Sequence, residues 1–345
     1  MTGMEGKAKV LLIGMGSIGT MNAYALETGG KAEVTAVLRS NYQHVKEHGF
    51  SIDSVDHGKG VKGWRPSHIT DTVADATDTA TLYDYLVLAT KNTPDVGSSL
   101  VELIAPAVTP GHTAIVLMQN GLNIEKPFQR ACPGNAVISG IELMGASEVS
   151  PGVIKHDEPD ICKIGCFDAN ARAEHIQQAK RFIELYNACG KVDCQYDEDV
   201  KYSRWQKLVY NSAWNSVSAI LQMDVTRMRV YEHIVDDLVL PIMLEIMRIA
   251  KATAVDLPQD LPMRYITVDS LDSWFMPSMG QDAVKGQFLE YENIVGEPMR
   301  EAQRLGVPCP TLITVYHLLR ALQVKTKERK GVLRPRMEDV KKYRG

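Results

Sequence analysis

Residues 9–13 (KVLLI) run directly into Gly14-Met15-Gly16-Ser17-Ile18-Gly19, and a helical pattern over 20–27 follows at once. No other feature constrains the fold so tightly. A strand that turns through GxGxxG into a helix needs its first glycine for the tight turn and its third for close helix–strand packing. The second lets the backbone approach a ligand, and the free N–H groups and positive dipole end of the helix then favour phosphate. Gly14, Gly16 and Gly19, with the intervening Met15, Ser17 and Ile18, are therefore the candidate contacts to the pyrophosphate of a bound dinucleotide.

The first half of the chain repeats this alternation. Short, branched apolar runs at 9–13, 33–38, 85–89, 113–118 and 136–141 read as strands, separated by amphipathic stretches. Strands alternating with helices predict βαβ units and a parallel sheet. A hairpin is expected over 152–156 and 161–165, joined around Glu158-Pro159-Asp160, followed by a helix over 171–189. From residue 200 onward helical periodicity takes over, at 200–223, 233–254, 281–305 and 311–323. The expected organisation is a Rossmann domain over 7–197, a helical substrate and catalytic domain over 198–330, and a basic tail over 331–345.

The end of the second strand decides the dinucleotide. An Asp or Glu there would bond a ribose 2′-hydroxyl. This chain has Leu38-Arg39-Ser40. A guanidinium and a hydroxyl suit a 2′-phosphate, which a carboxylate would repel. The expected cofactor is NADPH, held at its 2′ end by Arg39 and Ser40.

Outside the glycine loop, the segment from Trp205 to Asn215 (WQKLVYNSAWN) is the most informative. Lys207, Asn211 and Asn215 are spaced by four. On an α-helix each such step advances by about 40°, so the three form one polar stripe on an otherwise apolar helix. Such a stripe is costly unless it faces a partner or a wet cleft. A lysine in that setting can donate a proton to a developing alkoxide, and neutral amides can bond substrate oxygens without adding charge. Trp205, Trp214 and Trp274 read as core or pocket wall.

Bulk properties exclude other classes. The 345 residues carry a net charge of −4, with 45% hydrophobic and 23% charged residues. That is an ordinary globular mixture with no global basic field for nucleic acid or an anionic membrane. The six cysteines form no CxxC pair and no zinc spacing, so they read as reduced thiols, and no metal is expected. The apolar runs fall short of a membrane span, and the N-terminal segment lacks a secretory or transit pattern. The expected location is the cytoplasm.

Taken in order, these motifs resemble the ketopantoate reductase (2-dehydropantoate 2-reductase) family over nearly the whole chain. GMGSIG and Arg39 match its NADPH site, and Lys91 after YLVLAT matches a lysine that follows its equivalent strand. Gln119-Asn120-Gly121 matches its QNG turn, and Lys207…Asn211…Asn215 its Kxxx-N-xxx-N helix. Pro277-Ser278-Met279 with Gln281-Asp282 matches its PSM-x-x-D segment, and Glu290 to Gly296 its E-x-D/E-xxx-G helix. The resemblance implies an all-α second domain of the 6-phosphogluconate dehydrogenase C-terminal type. It implies reduction of a small 2-keto acid, 2-dehydropantoate to pantoate in pantothenate biosynthesis. Lys207 would be the proton donor and Glu290 would orient it or bond the substrate. Asn120 and Ser278 would hold the carboxylate, and Asn211 and Asn215 the remaining oxygens. Lys91, Asn120 and Glu290 would also touch the cofactor. Residue by residue, Ser278 reads equally well as the N-cap of a helix starting near Gln281.

Two departures stand out. Ser216-Val217-Ser218 follows the second asparagine where the family has an NPL-like run, and position 280 is glycine where a larger apolar residue is common; both are expected to reshape the substrate pocket. Another keto acid or an imine is thus an alternative substrate, and a catalytically silent NADPH-binding regulator an alternative role. The substrate is expected between the two domains, in a cleft that closes on the ternary complex. Oligomeric state is left open, a homodimer included.

Overall fold

The computed structural model describes residues 6–77 and 81–336. The chain divides into two compact units. The first comprises Met1–Asn120 and Ile124–Ser203; the second comprises Gly121–Asn123 and Arg204–Gly345. Of the expected basic tail, residues 337–345 lie outside the described residues.

The first unit holds strands β1 (Ala8–Ile13), β2 (Ala32–Val37), β3 (Phe50–Ser54), β4 (Gly58–Trp64), β5 (His68–Thr70), β6 (Tyr85–Leu88), β7 (Ala114–Leu117), β8 (Val137–Glu142), β9 (Gly145–Ser150), β10 (Val153–Glu158), β11 (Ile161–Cys166) and β12 (Asp193–Tyr196). Its helices are α1 (Ser17–Thr28), α2 (Tyr42–His48), α3 (Val73–Thr77), α4 (Leu100–Ile104), α5 (Lys126–Ala131) and α6 (Ala173–Tyr186). Eight strands form the main sheet in the order β12-β11-β8-β7-β6-β1-β2-β5. All its pairings are parallel except β8 with β11. The central strands are apolar throughout because both faces are covered. Val10 and Leu12 pack on the side of Met21, Leu26 and Phe182, while Leu11 and Ile13 pack on the side of Val73, Ile104 and Phe128.

A second sheet of order β4-β3-β10-β9 overturns the expected hairpin. β10 pairs with β3 in parallel and with β9 antiparallel, whereas β11 belongs to the main sheet beside β8 and β12. The turn at Glu158-Pro159-Asp160 therefore carries the chain from one sheet to the other. A buried polar seam lies on that side of the molecule. Asn22 Nδ2 donates to Glu142 Oε1 (2.9 Å) and to Tyr186 Oη (2.7 Å). Tyr186 Oη donates to Asp160 Oδ2 (2.7 Å), and the Asp160 backbone N–H to Asp56 Oδ2 (2.8 Å). Burial pushes the Asp160 carboxyl up to about 6.

Among the described residues no strand follows Tyr196. The helices from there are α7 (Val200–Tyr210), α8 (Ser216–Leu221), α9 (Val225–Val230), α10 (Leu240–Ala252), α11 (Leu261–Thr267), α12 (Ser278–Lys285), α13 (Glu297–Leu305) and α14 (Pro310–Arg329). Three π-helical turns interrupt them, at Asn211–Asn215, Val235–Val239 and Glu292–Gly296. The helix expected over 281–305 is two elements. Gly286 adopts a left-handed conformation, and its N–H and that of Gln287 bond back to Ala283 O and Asp282 O, which ends α12.

Candidate active site

In the first unit the candidate residues gather at one edge of the main sheet. Residues 14–19 follow β1, Arg39 and Ser40 follow β2, Lys91 follows β6, and Asn120 follows β7. These four strands are neighbours in the order β7-β6-β1-β2 and run parallel, so all these residues lie at their carboxyl ends. The chain also reverses its direction of build here, from β1 to β2 on one side and to β6 on the other, where open α/β sheets bind ligands.

The glycine loop fits a dinucleotide. Gly14 has φ +102°, and a Cβ there would lie 2.6 Å from the Thr90 backbone nitrogen. A Cβ on Gly19 would lie 1.9 Å from Gly14 O, so the loop closes only without side chains. A Cβ on Gly16, by contrast, would meet nothing within 4 Å. Gly16 is also the N-cap of α1 and offers no capping side chain, which leaves the first-turn N–H groups open towards that space. Met15 is buried, and the Ser17 hydroxyl donates to Ala146 O of β9 at 3.0 Å. Arg39, Ser40 and Lys91 are exposed and Asn120 is half-buried. Next to Asn120, Gln119 Nε2 donates to Thr90 O at 2.9 Å, so the QNG turn and the glycine loop rest on the same threonine.

In the second unit the structure joins two of the remaining candidates, Asn215 and Ser278, directly. Lys207 is half-buried in α7. Asn211 and Asn215, 8% and 3% exposed, bound the first π-turn. The wider i→i+5 turn takes more residues per circuit than an α-turn. It therefore offsets the α-helical drift accumulated between Lys207 and Asn211, so the three residues stay on one face. Asn215 Nδ2 donates to Ser278 Oγ at 3.3 Å, and Ser212 Oγ donates to Ile294 O at 2.6 Å. The Lys207 helix is thus bonded both to the start of α12 and to the π-turn that follows the buried Glu290. Ser278 is the first residue of α12, whose N-cap is Pro277, so the capping reading is replaced by a hydroxyl engaged with Asn215.

The two sequence departures meet each other. A Cβ on Gly280 would lie 2.1 Å from Ser218 Oγ and 3.0 Å from Ser218 Cβ. Gly280 thereby lets α12 and α8 pack closely, while Ser218 Oγ donates to Met223 O at 2.6 Å. Trp205 and Trp214 are fully buried in the core; Trp274 is not a core residue, being 57% exposed under the Arg227 guanidinium.

Two residues escaped the sequence reading. Arg204, buried one turn before Lys207, donates from Nη1 to Gly121 O at 2.9 Å. Asn41, buried two residues after Arg39, donates from Nδ2 to Met15 O at 2.8 Å and to Glu148 Oε1 at 3.1 Å. A polar residue beside a motif was the available signal for both.

Comparison with known proteins gives the family. Family models described as ketopantoate reductase PanE/ApbA and as its C-terminal part match residues 10–169 and 199–323. An uncharacterised protein of Saccharomyces cerevisiae is 35% identical, with 95% of this chain and 97% of the relative covered. The 2-dehydropantoate 2-reductase of a Nostoc species is 25% identical over 91% of this chain and 95% of its own. The crystal structure of 2-dehydropantoate 2-reductase from Methylococcus capsulatus superposes with a TM-score of 0.76 at 30% identity, covering 92% of this chain and 97% of that one. The chain belongs to the ketopantoate reductase family, NADP-dependent oxidoreductases that act on CH–OH groups.

Proposed function

We propose that this protein reduces a small 2-keto acid with NADPH, 2-dehydropantoate being the first candidate, and forms the 2-hydroxy acid. The observation that carries the reading is the bond between buried Asn215 and Ser278, on the same continuous helical segment as Lys207. NADPH, when bound, would supply the hydride that the carbonyl carbon accepts. Lys207 supplies the proton from Nζ to the carbonyl oxygen and stabilises the charge that develops there. Glu290 orients the Lys207 ammonium or bonds the substrate. Asn120 and Ser278 hold the carboxylate, and the amides of Asn211 and Asn215 bond the remaining oxygens without opposing its charge. Arg39 and Ser40 hold the 2′-phosphate, with Lys91 near the same dinucleotide.

A second reading, another 2-keto acid on the same chemistry, is favoured by Gly280 and Ser218. They bring α12 closer to α8 than a larger residue at 280 would allow, and Ser278 sits on the same turn of α12. The experiment is a panel of 2-keto acids graded in side-chain size, followed by NADPH oxidation. Turnover with the highest kcat/KM on 2-dehydropantoate supports the first reading, and a higher value on another member supports the second. No NADPH oxidation with any member overturns both.

A further inference from the structure

Asn41 is positioned to begin a helix, and asparagine is a favoured N-cap. Its side chain does not cap α2. Nδ2 instead reaches Met15 O in the glycine loop and Glu148 Oε1 on β9. Glu148 is itself fixed, because the same Oε1 accepts the Gly152 N–H at 2.9 Å from the turn between β9 and β10. That turn lies against α2, since a Cβ on Gly152 would meet His44 Cδ2 at 2.7 Å. The Ser17–Ala146 bond makes a second tie between the glycine loop and β9. The small sheet, which holds none of the candidate site residues, is thus bonded to both ends of the dinucleotide site.

We infer that Asn41 is a positioning residue for the 2′-phosphate. It sets the distance between the glycine loop and the turn carrying Arg39 and Ser40, with Glu148 of the small sheet as its anchor. The inference rests on the assignment of Arg39 and Ser40 to the 2′-phosphate. A dinucleotide spans from pyrophosphate to adenosine ribose with a fixed reach, so a turn held at that reach before binding loses less freedom on binding. The glycine loop has other supports, among them the Gly14 N–H to Val37 O bond and the body of α1. The Arg39 turn is held by Leu38 N–H to Thr70 O, by Tyr42 N–H to Arg39 O at 3.2 Å and Val45 N–H to Asn41 O at 2.9 Å within its own α2 segment, and by the Asn41 side chain, which alone of these reaches the glycine loop. Losing Asn41 therefore loosens the 2′ end and leaves the pyrophosphate end in place.

The test is direct binding, by titration calorimetry, of NADP⁺ and NAD⁺ and of adenosine 2′,5′-bisphosphate and AMP, none of which needs turnover. Asn41→Ala is expected to weaken NADP⁺ and the bisphosphate by roughly three- to tenfold, the scale of one or two buried hydrogen bonds. NAD⁺ and AMP should change by less than about twofold. Glu148→Ala should erode the same preference, and Glu148→Gln, which keeps an acceptor for Asn41 Nδ2, should restore it. If Asn41→Ala does not fold, the Glu148 pair decides alone. Equal weakening of both dinucleotides, or no weakening, overturns the role of Asn41. Arg39→Ala is the control: if it leaves the NADP⁺ to NAD⁺ ratio unchanged, the 2′-phosphate assignment itself fails and the inference falls with it.

Discussion

At the scale of single residues, Lys207 and Asp160 carry opposite demands. Lys207 is half-buried on a helix whose next turn, which carries Asn211 and Asn215, is buried. Lys207→Ala is expected to lower kcat by roughly two or more decades, the usual scale of general acid catalysis, with NADPH affinity retained. Stopped-flow single turnovers would check it, and a variant that keeps most of its kcat would remove Lys207 from the mechanism. Asp160 takes no part in that chemistry. Its pKa rises from 3.8 to about 6 because burial disfavours its charge, against the hydrogen bond from Tyr186. A carboxyl raised in the folded state binds its proton more tightly than in the unfolded chain. Its stabilisation is therefore complete below about pH 4 and is lost as pH rises through about 6. Two pKa units correspond to about 3 kcal/mol. Asp160→Asn should therefore gain on the native protein by up to about that amount between pH 4 and 7. His57 and His156, both lowered chiefly by burial, lose stability in the other direction as pH falls below the usual histidine range. They are common to both proteins and cancel in the difference. Urea unfolding of the pair at the two pH values would show it, and a gap that does not move with pH would exclude Asp160 as its source.

At the scale of elements, the contact between α8 and α12 tests whether the sequence departures form one adaptation. Gly280→Ala puts a methyl 2.1 Å from Ser218 Oγ and should cost roughly 1–3 kcal/mol, the scale of overpacking. Ser218→Ala alone should cost about 1 kcal/mol through its bond to Met223 O. With both changed, the total should fall below the sum, and simple additivity in a double-mutant cycle would deny the coupling. The same elements show what was legible in the sequence. Strands β1, β6 and β7 were, because burial on both faces leaves an unbroken apolar run. β4 (GKGVKGW) and β9 (GASEVS) were not, because their sheet is buried on one side only and their own residues are mostly polar or glycine. The false hairpin has the same origin. β10 and β11 are neighbours in sequence with a turn between them, but β10 is paired by β3, about a hundred residues earlier, and no local pattern carries that information. The π-turn at Asn211–Asn215 was equally invisible, since one extra residue per turn leaves no compositional mark. Spacing by four is compatible with both, because α- and π-turns keep such residues on one face.

At the scale of the whole molecule, the second unit is not simply the C-terminal part of the chain. It includes Gly121–Asn123, the residues directly after Asn120. Gly121 has φ +105°, and a Cβ on it would lie 2.6 Å from Asn293 Cβ. The Leu122 N–H donates to Asn293 O at 2.9 Å, and Asn293 Nδ2 returns a bond to Leu122 O at 3.2 Å. Asn123 Nδ2 donates to Glu297 Oε2 at 2.6 Å and to Glu301 Oε1 at 3.2 Å, while Arg204 holds Gly121 O. Removing the tripeptide would leave the buried Arg204 guanidinium without that carbonyl and take donors from two carboxylates, a loss on the order of several kcal/mol. A fragment covering residues 200–345 is therefore expected to melt well below the same helices in the intact chain, or to lack a cooperative transition. Gly121→Ala in the intact chain should reproduce part of that loss, because it combines a strained backbone with a clash on Asn293. Thermal melts by circular dichroism would compare the three proteins. A fragment that melts cooperatively at the temperature of the intact chain would show that the tripeptide contributes nothing to the second unit, and that the unit ends in sequence where its helices begin.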